Sequence, residues 1–261
     1  MLKAILPVIG LSLLVAVPAA AQQSKPSYVR LGAGLSDSNS AVYRDRDCAS
    51  TDPAALFGCA DGPDGNPIGA YGGYGSSVII EGAWGHYLSD WLRGELAFGY
   101  RPDLDFTGQS NFAGVTLGTE PVEARGRNVT MMANAYLMLT PLFGNIAGFQ
   151  PFISGGAGLA FNRTSEVSYF FPSLGAGDAT ITQPGSTTDF AWSLGAGAVV
   201  DLGDTIAVEL AYRYFDMGKM RTRPGDIQII REGRDDLMIP VDATHASLDA
   251  HEFLFSLIYR Y

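Results

Sequence analysis

Residues Phe253 to Tyr261 put Phe253, Phe255, Leu257, Tyr259 and Tyr261 on one parity and Leu254, Ser256, Ile258 and Arg260 on the other. Successive side chains of an extended strand point to opposite faces, so this stretch predicts a strand with one strongly apolar face. A chain built from repeats of that pattern must give one entire sheet face an apolar environment. That limits it to all-β architectures, here a sheet that closes into a ring.

The repeats are present. Tyr28 to Ser36 sets Val29, Leu31, Ala33 and Leu35 against Arg30, and Ser76 to Leu88 sets Val78, Ile80, Trp84 and Leu88 against Glu81. Trp91 to Arg101 carries Leu92, Leu96, Phe98 and Tyr100 opposite Arg93, Glu95 and Arg101. Asn128 to Leu139, Phe152 to Phe161 and Asp189 to Leu202 alternate in the same way, and Thr205 to Phe215 opposes Ile206, Val208, Leu210, Tyr212 and Tyr214 to Glu209 and Arg213. With the last stretch this makes eight strands. Long polar connections at about 37–75, 102–127, 162–188 and 216–249 alternate with short turns such as Ser89-Asp90 and Gly203-Asp204. Within the last connection, Ile227 to Ile230 and Met238 to Val241 are expected to extend strands beyond the ring. The glycine-rich run Gly69 to Gly75 is expected to be a mobile loop and Asp61 to Asn66 a solvated turn.

The start of the chain fits export. Lys3, an apolar run from Ala4 to Val17, then Pro18 and Ala19 to Ala21 predict a signal peptide over 1–21, with 22–261 as the barrel domain. The apolar run is shorter than the ~20 residues of a spanning helix. A single all-β domain suits 261 residues, and 32 Gly, 12 Tyr and 14 Phe with only 17% charged residues favour strands over helices. The formal charge of -10 argues against nucleic acid as a partner, which requires a basic patch.

Strands of ~9 to 11 residues with alternating short and long connections match a bilayer-spanning barrel. Hydrocarbon cannot hydrogen-bond a charge, so the apolar parity should face lipid and the charged parity the lumen. Short turns and both termini then lie in the periplasm, with the long loops outside. Aromatics should form two girdles: Tyr28, Trp84, Trp91, Tyr259 and Tyr261 at the periplasmic rim, and Tyr100, Phe161, Phe190, Trp192, Tyr214 and Phe253 at the outer one. The rival fold is a soluble barrel with the opposite facing.

The Gly-Ala-Gly triplets at Gly32 to Gly34, Gly156 to Gly158 and Gly195 to Gly197, the Leu88 to Trp91 turn, Glu209 to Tyr214 and the terminal strand carry a resemblance. The chain resembles the eight-stranded outer-membrane barrels of the opacity-protein and OmpA-like group, within the porin-family barrels of Gram-negative bacteria. The family implies an up-and-down antiparallel transmembrane barrel in the outer membrane, inserted by the assembly machinery through its terminal strand. Tyr261 stands where the family more often has Phe, and no peptidoglycan-binding domain is expected after the last strand.

On this reading Arg30, Glu81, Arg93, Glu95, Arg101, Glu209, Arg213 and Arg260 form a salt-bridged network that plugs the lumen. A narrow porin-like channel is the alternative. Cys48 and Cys59 in the first loop are expected to pair after export. No metal, cofactor or catalytic residue is expected. The partners expected are outer-membrane lipid and lipopolysaccharide, with a host or surface ligand at the loops as a further candidate. Arg221, Arg223, Arg231 and Arg234, mixed with Asp226, Glu232, Asp235 and Asp236, are expected in a solvated loop, with contact to lipopolysaccharide phosphates or a host ligand as the alternative. An outer-leaflet lipid A hydrolase is a distant alternative, with His251, His245, Ser247 and Asp249 near the outer rim and His86 at the wrong end.

Overall fold

The structure is a computed structural model that describes residues 27–112, 119–144 and 148–261. The expected signal peptide lies outside them.

Eight ascending or descending staves each consist of a long strand and a short one, separated by a few residues. In chain order they are β1 (Ser27–Ser38) with β2 (Ser40–Asp45), β3 (Ala70–Gly73) with β4 (Ser76–Tyr87), β5 (Leu92–Arg101) with β6 (Phe106–Ser110), and β7 (Pro121–Ala124) with β8 (Gly126–Met138). Then come β9 (Phe149–Thr164) with β10 (Ser168–Phe170), β11 (Ala179–Ile181) with β12 (Gly185–Asp201), β13 (Ile206–Arg221) with β14 (Gly225–Ile230), and β15 (Leu237–Val241) with β16 (Thr244–Arg260). The long strands pair in the order β1, β4, β5, β8, β9, β12, β13, β16, and β16 returns to β1, so every neighbour is antiparallel and the ring is closed. Closure removes free edges, so backbone polar groups pair around the ring, with a register shift in β13 between Asp216 and Lys219.

Exposure follows parity. Leu96, Leu210 and Phe255 are about half exposed on the outer wall, whereas Arg93 is 0%, Glu95 5% and Arg213 7% exposed. A soluble barrel would show the reverse. The terminal-strand residues Phe253, Phe255, Leu257, Tyr259 and Tyr261 are likewise exposed outward, and Trp84 Nε1 donates to the Tyr261 hydroxyl at 3.0 Å. Tyr28 departs from its expected place in the girdle. It shares parity with Arg30, points inward and is completely buried.

The long connections are not the irregular loops expected from their polarity. The short strands pair in the order β2, β3, β6, β7, β10, β11, β14, β15 and continue the ring upward as a collar. The run expected to be mobile, Gly69 to Gly75, contains β3, which pairs with both β2 and β6. Gly72 permits that approach, because a Cβ there would lie 2.2 Å from the Thr107 carbonyl oxygen. Between the collar edges β2 and β15, the Asp242 amide donates to the Ala54 carbonyl at 2.8 Å. The two expected extensions in the last connection are β14 and β15.

The collar has a core of its own. Tyr43, Tyr74, Leu104, Phe106, Tyr169, Phe215, Met217 and Leu248 are buried together above the lumen. Burial at this density explains why short strands, which would be marginal alone, hold their register.

Candidate functional site

The inward parity of the long strands assembles the charges at the barrel axis. Arg30 Nη2 lies 2.7 Å from Glu81 and 2.5 Å from Glu95, and its Nε is 3.7 Å from Glu209. Glu209 also takes Arg93 Nη2 at 2.5 Å. Toward the collar, Arg213 bridges Glu81 at 2.6 Å and Glu252 at 2.7 Å, and Glu252 holds Arg101 at 2.6 Å. The ladder thus runs from Arg93 to Arg101 without a break. Its cations, Arg30, Arg93, Arg101 and Arg213, balance its anions, Glu81, Glu95, Glu209 and Glu252. Bidentate guanidinium pairing suits such a dry interior.

Neutral groups complete it. The hydroxyls of Tyr28 and Tyr136 donate to Glu95 at 2.9 and 2.5 Å, and Asn128 accepts from Arg101 at 2.7 Å. Arg93 leaves Nε and Nη1 without hydrogen-bond acceptors, but its guanidinium lies 3.9 Å from the Tyr136 ring centroid and is flanked by Tyr28 and Phe152. Ring quadrupoles take the place of the missing acceptors. The free space left among Arg30, Glu81, Asn134 and Arg213 is about 20 Å³, roughly the volume for a single water.

Arg260 stands apart from the ladder. It is half-buried at the periplasmic mouth and pairs with Asp201 at 2.6 Å. Glu252, which sequence reasoning missed, is fully buried and joins two guanidiniums. Its parity with Leu254, Ser256 and Ile258 was the available signal.

Outside, Cys48 and Cys59 form a disulfide. The loop they close is tied to β2 by Asp45, whose carboxylate accepts the amides of Leu56, Phe57 and Gly58, each at 2.9 Å. Burial pushes the Asp45 carboxyl above its ordinary range, while these three amides pull it back. Beside this loop the collar opens an apolar cavity of about 510 Å³, lined by Phe57, Phe112, Phe171, Leu174, Ile229 and Ile239, with Arg231 and Arg234 at its rim. Arg221 instead pairs with Asp189 at 3.1 Å, and Arg223 donates to the Pro184 carbonyl at 3.0 Å. His251 stacks on Tyr212 and shares a 2.7 Å hydrogen bond with its hydroxyl through Nδ1. His86 Nδ1 meets Ser27 Oγ at 3.1 Å, low on the barrel.

A closed eight-stranded ring with aliphatic and aromatic side chains on its outer wall and ionised ones inside defines an integral barrel protein of the outer membrane. The chain belongs to the outer membrane protein beta-barrel domain family, whose model matches residues 8–261. The outer membrane protein PagN of Salmonella typhimurium is 31% identical over 133 residues, 49% of this chain and 51% of that protein. A candidate adhesin of Rickettsia bellii is 28% identical over 153 residues, 57% of this chain and 62% of the relative. The chain thus spans between half and two thirds of the length of these relatives. Among solved structures, the outer membrane protein OprG of Pseudomonas aeruginosa aligns over 91% of this chain and 96% of its own, with a TM-score of 0.48 and 14% identity.

Proposed function

We propose that this outer-membrane barrel is a non-enzymatic surface-contact protein, whose lumen is plugged and whose collar presents the binding surface. The observation that carries the reading is the contrast between its two ends. The axis is occupied by a charge-balanced ladder and, above it, by the apolar core of the collar, whereas the collar's outer part opens a cavity ringed by aromatic and aliphatic side chains. Loops held on a rigid scaffold are where contact residues usually reside, and here the scaffold extends into the loops themselves. The likeness to a candidate adhesin supports the same direction. His251 serves a ring stack and a tyrosine hydroxyl on the outer wall, which supports a structural role for it. On this reading the exposed aromatic face of β16 is also the element presented to the insertion machinery.

The test is adherence to cultured epithelial cells by a non-adherent bacterium expressing the protein. Wild type should adhere above an empty-vector control. Leu174→Asp and Ile229→Asp, which place charge in the apolar cavity, should reduce adherence while keeping heat-modifiable gel mobility. Adherence equal to the vector control would refute the reading.

A further inference from the structure

On the outer wall, the next outward positions above Val129 of β8 and Phe161 of β9 are Arg127 and Arg163, and they are direct cross-strand partners. Like charges placed opposite one another on an antiparallel pair repel. Among the described residues no carboxylate comes within ion-pair distance of either guanidinium, or of Arg125 two residues further out. Arg223 closes the other side. The four arginines, with Ser165 and Ser186, line an open concavity of about 490 Å³ on the flank of the barrel. Ser186 is the register partner of Arg163 on β12, so the row crosses three adjacent strands at one level.

The height of this row decides its chemistry. Val129 and Phe161 end the apolar wall on these two strands, and one step of two residues advances about 7 Å along a strand, less when tilted. The guanidiniums therefore sit where acyl chains give way to headgroups. Carboxylates of Asp105, Glu123 and Glu166 line the neighbouring concavity beside Arg125, further from the bilayer than Arg127 and Arg163. The innermost part of the site is purely cationic on a protein whose net charge is -10.

We propose that Arg125, Arg127, Arg163 and Arg223 form a docking site for the phosphate groups of outer-leaflet lipopolysaccharide. Guanidinium forks engage phosphate oxygens bidentately, and an anion between Arg127 and Arg163 converts their repulsion into shared attraction. The serine hydroxyls supply further donors at the edge. This site is independent of ligand contact at the collar, and it holds a lipid in the plane of the membrane on the β8–β9–β12 flank.

Native mass spectrometry of the purified, detergent-folded protein tests the assignment with bisphosphorylated lipid A and the same lipid stripped of phosphate. Wild type should bind the phosphorylated form at least about tenfold more tightly, the scale of one lost charge-assisted contact. Arg127→Gln combined with Arg163→Gln should abolish that preference and keep heat-modifiable mobility. Arg223→Gln, further from the strand pairing, should weaken it in part, and serves if the double variant does not fold. Equal binding of the two lipids by wild type, or an unchanged preference in the variants, would overturn the site. Displacement of the lipid by millimolar inorganic phosphate would overturn the lipid as its source.

Discussion

Arg101 and Glu252 meet at 2.6 Å in the lumen although 151 residues separate them in the chain, and neither side chain is exposed. Glu252 also holds Arg213, so replacing it by leucine leaves Arg101 with only the neutral Asn128 acceptor and takes one of two carboxylates from Arg213. Breaking a buried pair by removing one partner costs about 3–5 kcal/mol, whereas replacing both partners by apolar residues costs far less. Glu252→Leu should therefore destabilise the folded barrel by about that amount in urea titrations monitored by gel mobility. Adding Arg101→Met should recover part of the loss. A single variant as stable as wild type would show that the ladder contributes nothing.

The seam where β1 meets β16 depends on Gly34. A Cβ there would lie 1.9 Å from the Phe253 carbonyl oxygen, a backbone atom that cannot move without breaking the ladder. Gly34→Val should yield protein that fails to reach the compact, heat-modifiable form. Gly82 has open space where its Cβ would be, so Gly82→Ala should fold as wild type. Equal folding of the two variants would contradict closure at this seam.

The Cys48–Cys59 bond closes a separation of 11 residues in the first connection, just beyond β2. Its removal by Cys48→Ser with Cys59→Ser should cost the loop about 2–3 kcal/mol at most and leave the barrel intact. Proteolysis of whole cells should then cut between Arg46 and Pro67 faster than in wild type, with unchanged heat modification. Loss of barrel folding would mean that the loop supports more than itself.

Asp45 anchors the same loop through three amides, and Phe57 beside it packs edge-on against Tyr169 at 5.7 Å. Asp45→Ala should release Phe57 and expose the loop to protease, with a stability loss of about 1–3 kcal/mol for the unsatisfied amides. Asp45→Asn retains an acceptor and should be milder. Protection equal to wild type in both variants would contradict the anchoring.

The ring was legible because lipid enforces a strict two-residue period, so Arg93, Glu95 and Arg101 declared the inner face of β5 and Leu96 and Phe98 the outer. At Tyr28 residue type and parity disagree: an aromatic near a rim suggests a girdle, yet its register with Arg30 sends it inside. Glu252 lies just before the aromatic alternation that starts at Phe253, and only its parity marks it as inward. The collar was only half legible. Its strands are short, and what orders the glycine-containing β3 is its seat between β2 and β6 together with burial of Tyr74, neither of which leaves a local pattern. The Arg127 and Arg163 pair is invisible along the chain because it exists only across strands.

The most direct test of a filled lumen is planar-bilayer recording of the purified protein. With the ladder and the collar core in place, the membrane should show no stable single-channel steps at moderate voltage. Reproducible steps of fixed size from wild-type protein would contradict the plugged barrel and establish a conducting path along the axis.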